Sequence, residues 1–163
     1  MIDFINESDM KFVSDNVFHI EKSQEFTILG DNVKSVEFVR VRDNDLMFIE
    51  AKTSFPNPNN PVKGNAEKFE SEILEICDKF NHSLNLFASL SLGVSKNTIP
   101  EALTLPENLE IVFVLVIKNH NLKWCKAIRD GIMITLPLYF KRIWKPTVFV
   151  INQAVAVRQG LAE

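Results

Sequence analysis

The segment LEIVFVLVIK, Leu109 to Lys118, constrains the fold more than any other part of this chain. Only Glu110 and Lys118 interrupt its branched and aromatic apolar residues. Alternate residues of a strand point to opposite faces. A strand apolar at both parities must therefore be covered on both faces, which is the position of a central, parallel strand. Parallel strands need crossover connections, usually helical, so the expected class is α/β.

The remaining pattern supplies those helices. Residues 65–92 carry an apolar stripe at helical spacing, Phe69, Ile73, Ile76, Phe80, Leu84, Phe87 and Leu90. Asn65 is the expected N-cap, Glu67, Glu70 and Glu72 lie near the positive end, and Gly93 ends the helix. A second helical stretch is expected from Leu122 to Trp144, kinked or divided at Pro137, with Trp124, Ile128, Ile132 and Leu136 inward. Pro146 to Val157 reads as the final strand, and Asn16 to Leu29 as one bent strand or a short hairpin. Phe55 to Gly64, with three prolines and three asparagines, reads as a mobile loop. Gly93 to Asn108 reads as a polar connection. The expected order is β-β-β-α-β-α-β, a mixed β-sheet flanked by helices, in a single domain covering residues 1–163.

Composition narrows the function classes. Cys77 and Cys125 fall in expected helices without metal-ligand spacing, so they are expected as reduced core residues. The N-terminal MIDFINESDMKF has no signal-peptide apolar core, and no apolar run is long enough to span a bilayer. Together these give the expectation of a cytoplasmic protein without a membrane partner. His19, His82 and His120 show no zinc spacing, and no Walker loop, G-x-G-x-x-G or G-x-S-x-G is present. The net charge of −3 hides an asymmetry. Residues 118–163 carry eight Lys and Arg against two acids, a balance of +6, which leaves −9 for residues 1–117. A basic C-terminal third suits phosphate contacts, and equally suits the solvated face of a helix.

The chemistry is concentrated in one hairpin, KSVEFVRVR-DND-LMFIEAKTS, Lys34 to Ser54. Glu50 and Lys52 share a face of the second strand. A two-residue Asp43-Asn44 loop, or a four-residue loop, sets Glu37 opposite Glu50 and Ser35 opposite Lys52. A three-residue loop sets Glu37 opposite Ala51, on the wrong face. The turn alone does not decide. Two opposed carboxylates on an apolar strand need a cation, either Lys52 or a bound metal ion. The plain alternative is a solvated Glu50–Lys52 pair at a strand end with Glu37 exposed.

These residues resemble the PD-(D/E)xK nuclease superfamily, with its restriction-endonuclease-like core. That family sets an acid on one strand and (D/E)-x-K on the next, followed by a helix. The resemblance spans roughly Lys34 to Leu92. The first acid here is Glu without a preceding Pro, and little room is left for the family's N-terminal helix. The FIEAK-x-S segment also resembles a group of small, uncharacterised bacterial proteins. The resemblance implies a hydrolase, a Mg²⁺-dependent nuclease cleaving phosphodiester bonds of nucleic acid. Glu37, Glu50 and Lys52 would be catalytic, with Glu37 and Glu50 as metal ligands and the Ala51 carbonyl as a further ligand. Glu21 is the candidate for an extra acid, against the plainer reading of a surface charge on an edge strand. The rival is a non-catalytic binding or assembly module that retains the fold and acts by self-association or through a protein partner.

Overall fold

The computed structural model describes residues 3–95, 99–100 and 103–163. Strands β3 (Val17–Phe18), β4 (Phe38–Arg42), β5 (Asp45–Lys52), β6 (Glu110–Ile117) and β7 (Thr147–Asn152) form one sheet in that spatial order. β3–β4 and β4–β5 pair antiparallel, whereas β5–β6 and β6–β7 pair parallel. The strand from Glu110 to Ile117 is central, as its two-sided apolar character requires. The protein is thus mixed α/β, with a five-stranded mixed sheet flanked by helices.

Each face of the sheet has its own core. On one face Val39, Phe48, Phe113, Leu115 and Val150 meet α2 (Asn65–Ser91), α3 (Leu122–Thr135) and α4 (Leu138–Trp144). On the other, Phe38, Met47, Ile49, Ala51 and Val114 meet a small hairpin of β1 (Phe4–Glu7) and β2 (Met10–Val13), and α5 (Gln153–Arg158). Phe113 is the hub of the first core. Its ring stacks on Phe80 at 4.4 Å between centroids, with Phe48 at 5.7 Å and Phe140 at 5.9 Å. Gly131 lets α3 approach α2, since a Cβ there would stand 3.2 Å from Ile73 Cδ1.

The α2 stripe is core along its length, with Phe69 partly buried. Asn65 does not cap the helix. Gly64 holds the N-cap position at φ 86°, a left-handed conformation favourable to glycine, and Asn65 Nδ2 reaches back to the Asn57 carbonyl at 2.8 Å. Gly93 follows the last turn at φ 71°. Pro137 divides α3 from α4, because it lacks an N–H and forces Leu136 into an extended conformation. Ile128, Ile132 and Leu136 are buried and Trp124 is half-buried, its ring against His120. Cys77 and Cys125 are free and buried. Burial pushes the Cys77 thiol up to about 12, so it is no nucleophile at neutral pH.

Two further expectations are corrected. Asn16–Leu29 is not one strand. After β3 the chain makes a 3₁₀ turn, Ile20–Lys22, then α1 (Gln24–Leu29), started by the Ser23 hydroxyl accepting from Phe26 N. The last strand stops at Asn152, whose side chain accepts from Val155 N and begins α5. The 55–64 loop is irregular, as its prolines and asparagines require, and makes several local contacts. Phe55 is buried edge-on against Phe69, and Asn57 and Asn60 side chains accept from backbone N–H two residues on. Of the 93–108 connection, residues 96–98 and 101–102 lie outside the described residues.

Phe113→Ala should lower the unfolding free energy by ~3–5 kcal/mol, because one truncation opens a cavity against three rings. Urea denaturation of parent and variant measures this. A change below about 1 kcal/mol would mean that the ring cluster is not the hub of the core.

Candidate functional site

The hairpin register follows from its turn. Arg42 pairs with Asp45 and Phe38 with Ile49, so Asp43-Asn44 is a two-residue loop. Asp43 takes φ 54°, a conformation that Asp tolerates better than most residues. The Asn44 carbonyl accepts from Glu110 N at 2.8 Å, tying the turn to the entrance of β6. Continuing this register by one residue sets Glu37 opposite Glu50. Glu37, Glu50 and Lys52 then share the sheet face covered by α2.

These three side chains line one cleft of about 350 Å³ together with Ser8, Ser54, Glu72 and Lys79. Residues 55–64 do not line it. Glu50 is 1% exposed. Its Oε1 accepts from Lys79 Nζ at 2.6 Å, whereas its Oε2 has no hydrogen-bond partner among the described residues. Lys52 does not reach for Glu50. Its ammonium donates to Glu72 and, at 3.5 Å, to Glu75, both on α2. The plain surface pair Glu50–Lys52 is therefore absent, and the cation expected beside Glu50 comes from the helix. The Ala51 carbonyl accepts from Ser8 Oγ at 2.9 Å, so the third ligand implied by the resemblance already has a donor.

Glu21 is not on an edge strand. It is exposed in the 3₁₀ turn after β3, and its carboxyl shares a hydrogen bond with Glu37. Burial, that bond and the nearby Glu50 carboxylate push Glu37 up to about 9. Burial raises Glu50, and Lys79 pulls it back, to about 7. Lys79 is itself shifted. Burial lowers it, but the Glu50 carboxylate opposes and overcomes burial, so the net direction is upward. Burial and crowding thus raise both carboxyls, Glu37 more than Glu50, because Lys79 favours the ionised form of Glu50.

Lys79, Glu72, Glu75 and Ser8 were not read as site residues from the sequence, where Glu72 figured only as a charge near the positive end of the helix. The first three had a signal. Residues 72, 75 and 79 repeat at helical spacing beside the buried stripe of Ile73, Ile76 and Phe80. Ser8 had none, since its place depends on how the N-terminal hairpin packs. The basic C-terminal residues do not converge on this cleft. Lys126 pairs with Asp130, Arg129 Nε donates to the Val148 carbonyl, and Lys141 Nζ donates to the Met133 carbonyl.

Among the described residues, no group of three or more His, Cys, Asp or Glu is arranged to hold a metal ion. No helix among them is long and apolar enough to cross a membrane. The chain matches no family model, and comparison with curated proteins and with solved structures finds no significant relative.

The raised carboxyls predict a pH dependence. An acid whose pKa is higher folded than unfolded binds protons more tightly in the native state, so stability falls as pH rises through that window. Between about pH 4.5 and 9, with a chelator present, the parent should lose thermal stability through Glu37 and Glu50. Glu37→Gln should flatten that slope in a pH series of melting curves. An identical slope in the variant would show that Glu37 keeps an ordinary pKa.

Proposed function

We propose that the hairpin cleft is a divalent-metal-dependent phosphodiester-hydrolysing site of the restriction-endonuclease-like kind, acting on nucleic acid. One observation carries the reading. Glu50 Oε2 is buried without a donor, on the face shared by Glu37 and Lys52. Buried polar atoms normally have partners. A carboxylate with one oxygen held by Lys79 and the other free is a ready ligand for a hard cation.

The donor set fits Mg²⁺, which commonly takes one or two carboxylates and keeps several waters. Glu37 and Glu50 would hold it. When bound, such an ion acidifies a coordinated water and offsets charge on the phosphate. The other roles belong to the protein. Lys79 fixes one Glu50 oxygen and leaves the second open. Lys52, steadied by Glu72 and Glu75, would place positive charge where the transition state gains negative charge. Glu37, held well above the usual carboxylate range, would give up its proton to solvent when a cation arrives.

A second reading has its own observation. Both lysines already have carboxylate partners, with Lys79 on Glu50 and Lys52 on Glu72 and Glu75. A non-catalytic module with closed ion pairs would look the same.

Thermal unfolding with Mg²⁺ and Mn²⁺, combined with cleavage assays on DNA and RNA, separates the two. Ion-induced stabilisation is expected in the parent and in Lys52→Ala, and is expected to be lost in Glu50→Gln. Cleavage should fall at least ~100-fold in both variants. Equal cleavage by parent and variants would indicate a contaminating nuclease and remove the catalytic reading.

A further inference from the structure

The end of the sheet opposite the cleft carries an apolar surface that the proposed chemistry does not use. β5 and β6 run parallel, so Glu110 at the entrance of β6 lies beside Asp45, far from Lys52. On α3 and α4, which lead into that end of the sheet, Ile134, Leu138, Tyr139 and Ile143 are 81%, 60%, 61% and 67% exposed. They fall within ten residues on the corner that Pro137 makes between α3 and α4. Lys141 Nζ, bonded to the Met133 carbonyl, folds α4 back against that corner. Ile143 continues into a groove of about 520 Å³ that it shares with Leu109, Glu110, Trp144 and Lys145.

We infer that this surface docks a second copy of the same chain, as a two-fold dimer centred on α4. Two observations select that occupant. The first is area. With Leu109 added, the exposed apolar side chains present on the order of 600 Å², at the upper end of what a monomer shows. A stable interface needs about 800 Å² per partner, little more than half of it apolar. The patch is therefore large enough to form an interface core.

The second is charge. Arg142 and Lys145 on α4 are exposed, as are Glu107 and Glu110 at the strand entrance, and none of the four forms an ion pair among the described residues. A two-fold interface brings residue i to j and j to i. It can therefore set the cations of each copy against the acids of the other. An anionic bilayer or a nucleic acid would meet Glu107 and Glu110 as repulsion, and a purely acidic partner would do the same.

Sedimentation velocity and light scattering over a wide concentration range test this. The parent should be a dimer. Ile143→Asp, a change at an exposed position, should weaken association on the order of 30-fold or more, with an unchanged circular dichroism spectrum and a melt that matches the parent's once both are diluted to monomer. Arg142→Glu with Lys145→Glu should also weaken it, and adding Glu107→Lys with Glu110→Lys should restore it. A parent that stays monomeric throughout overturns the inference. So does a dimer indifferent to Ile143→Asp, or charge reversal without rescue. Binding of the parent to phosphatidylglycerol vesicles, lost in Ile143→Asp, would instead assign the surface to a membrane. These outcomes are independent of whether the cleft binds metal or cleaves nucleic acid.

Discussion

The site depends on the ion pair between Glu50 and Lys79. Glu50 stands near the carboxyl end of β5, a strand that is otherwise apolar on both faces, and α2 lies across it. A carboxylate taken out of water in that setting is costly without a partner. Lys79 supplies one from the helix, two turns beyond Glu72, and so links the chemistry of the hairpin to the packing of α2. Phe80, the next residue, stacks on Phe113 at the hub of the core. Fold and cleft are therefore fixed by adjacent residues of one helix. The same pair leaves one Glu50 oxygen without a donor among the described residues, and the proposed metal site rests on that oxygen.

Much of the fold was legible because long apolar periods leave few choices. The two-sided apolar run of β6 required a central strand, and the stripe of α2 required a long helix against it. Pro137 had to kink or divide the second helical stretch, and it divides it. The short elements were hidden for equally physical reasons. In HIEKSQEF the apolar positions Ile20 and Phe26 do not distinguish a strand from a turn and a six-residue helix, and the Ser23 cap decides locally. In INQAVAV an apolar series continues beyond the strand, and Asn152 ends it with one side-chain hydrogen bond. The N-terminal hairpin turns through Ser8 and Asp9, both at positive φ, where neither Gly nor Pro marks the turn.

The candidate site was half visible. The spacing of Glu37, Glu50 and Lys52 announced a shared face if the turn held two residues, and it does. The partners of those residues were not visible, because a strand's own sequence does not say which helix residues will lie over it. The consequence is a different charge arrangement from the one the hairpin suggests by itself. Lys52 is drawn toward Glu72 and Glu75, Glu50 is served by Lys79, and Glu37 is raised by burial and by the Glu21 and Glu50 carboxyls near it. In the proposed site, a divalent ion between Glu37 and Glu50 would displace the Glu37 proton and relieve the repulsion between the two acids.

Calorimetric titration of the chelator-treated protein with Mn²⁺, near neutral pH and in two buffers of different ionisation heat, tests the account most directly. The account predicts one ion per chain, with proton release detected as a buffer-dependent heat, and loss of both in Glu50→Gln. Binding without proton release, or binding that survives in Glu50→Gln, would contradict it, as would the absence of any saturable heat.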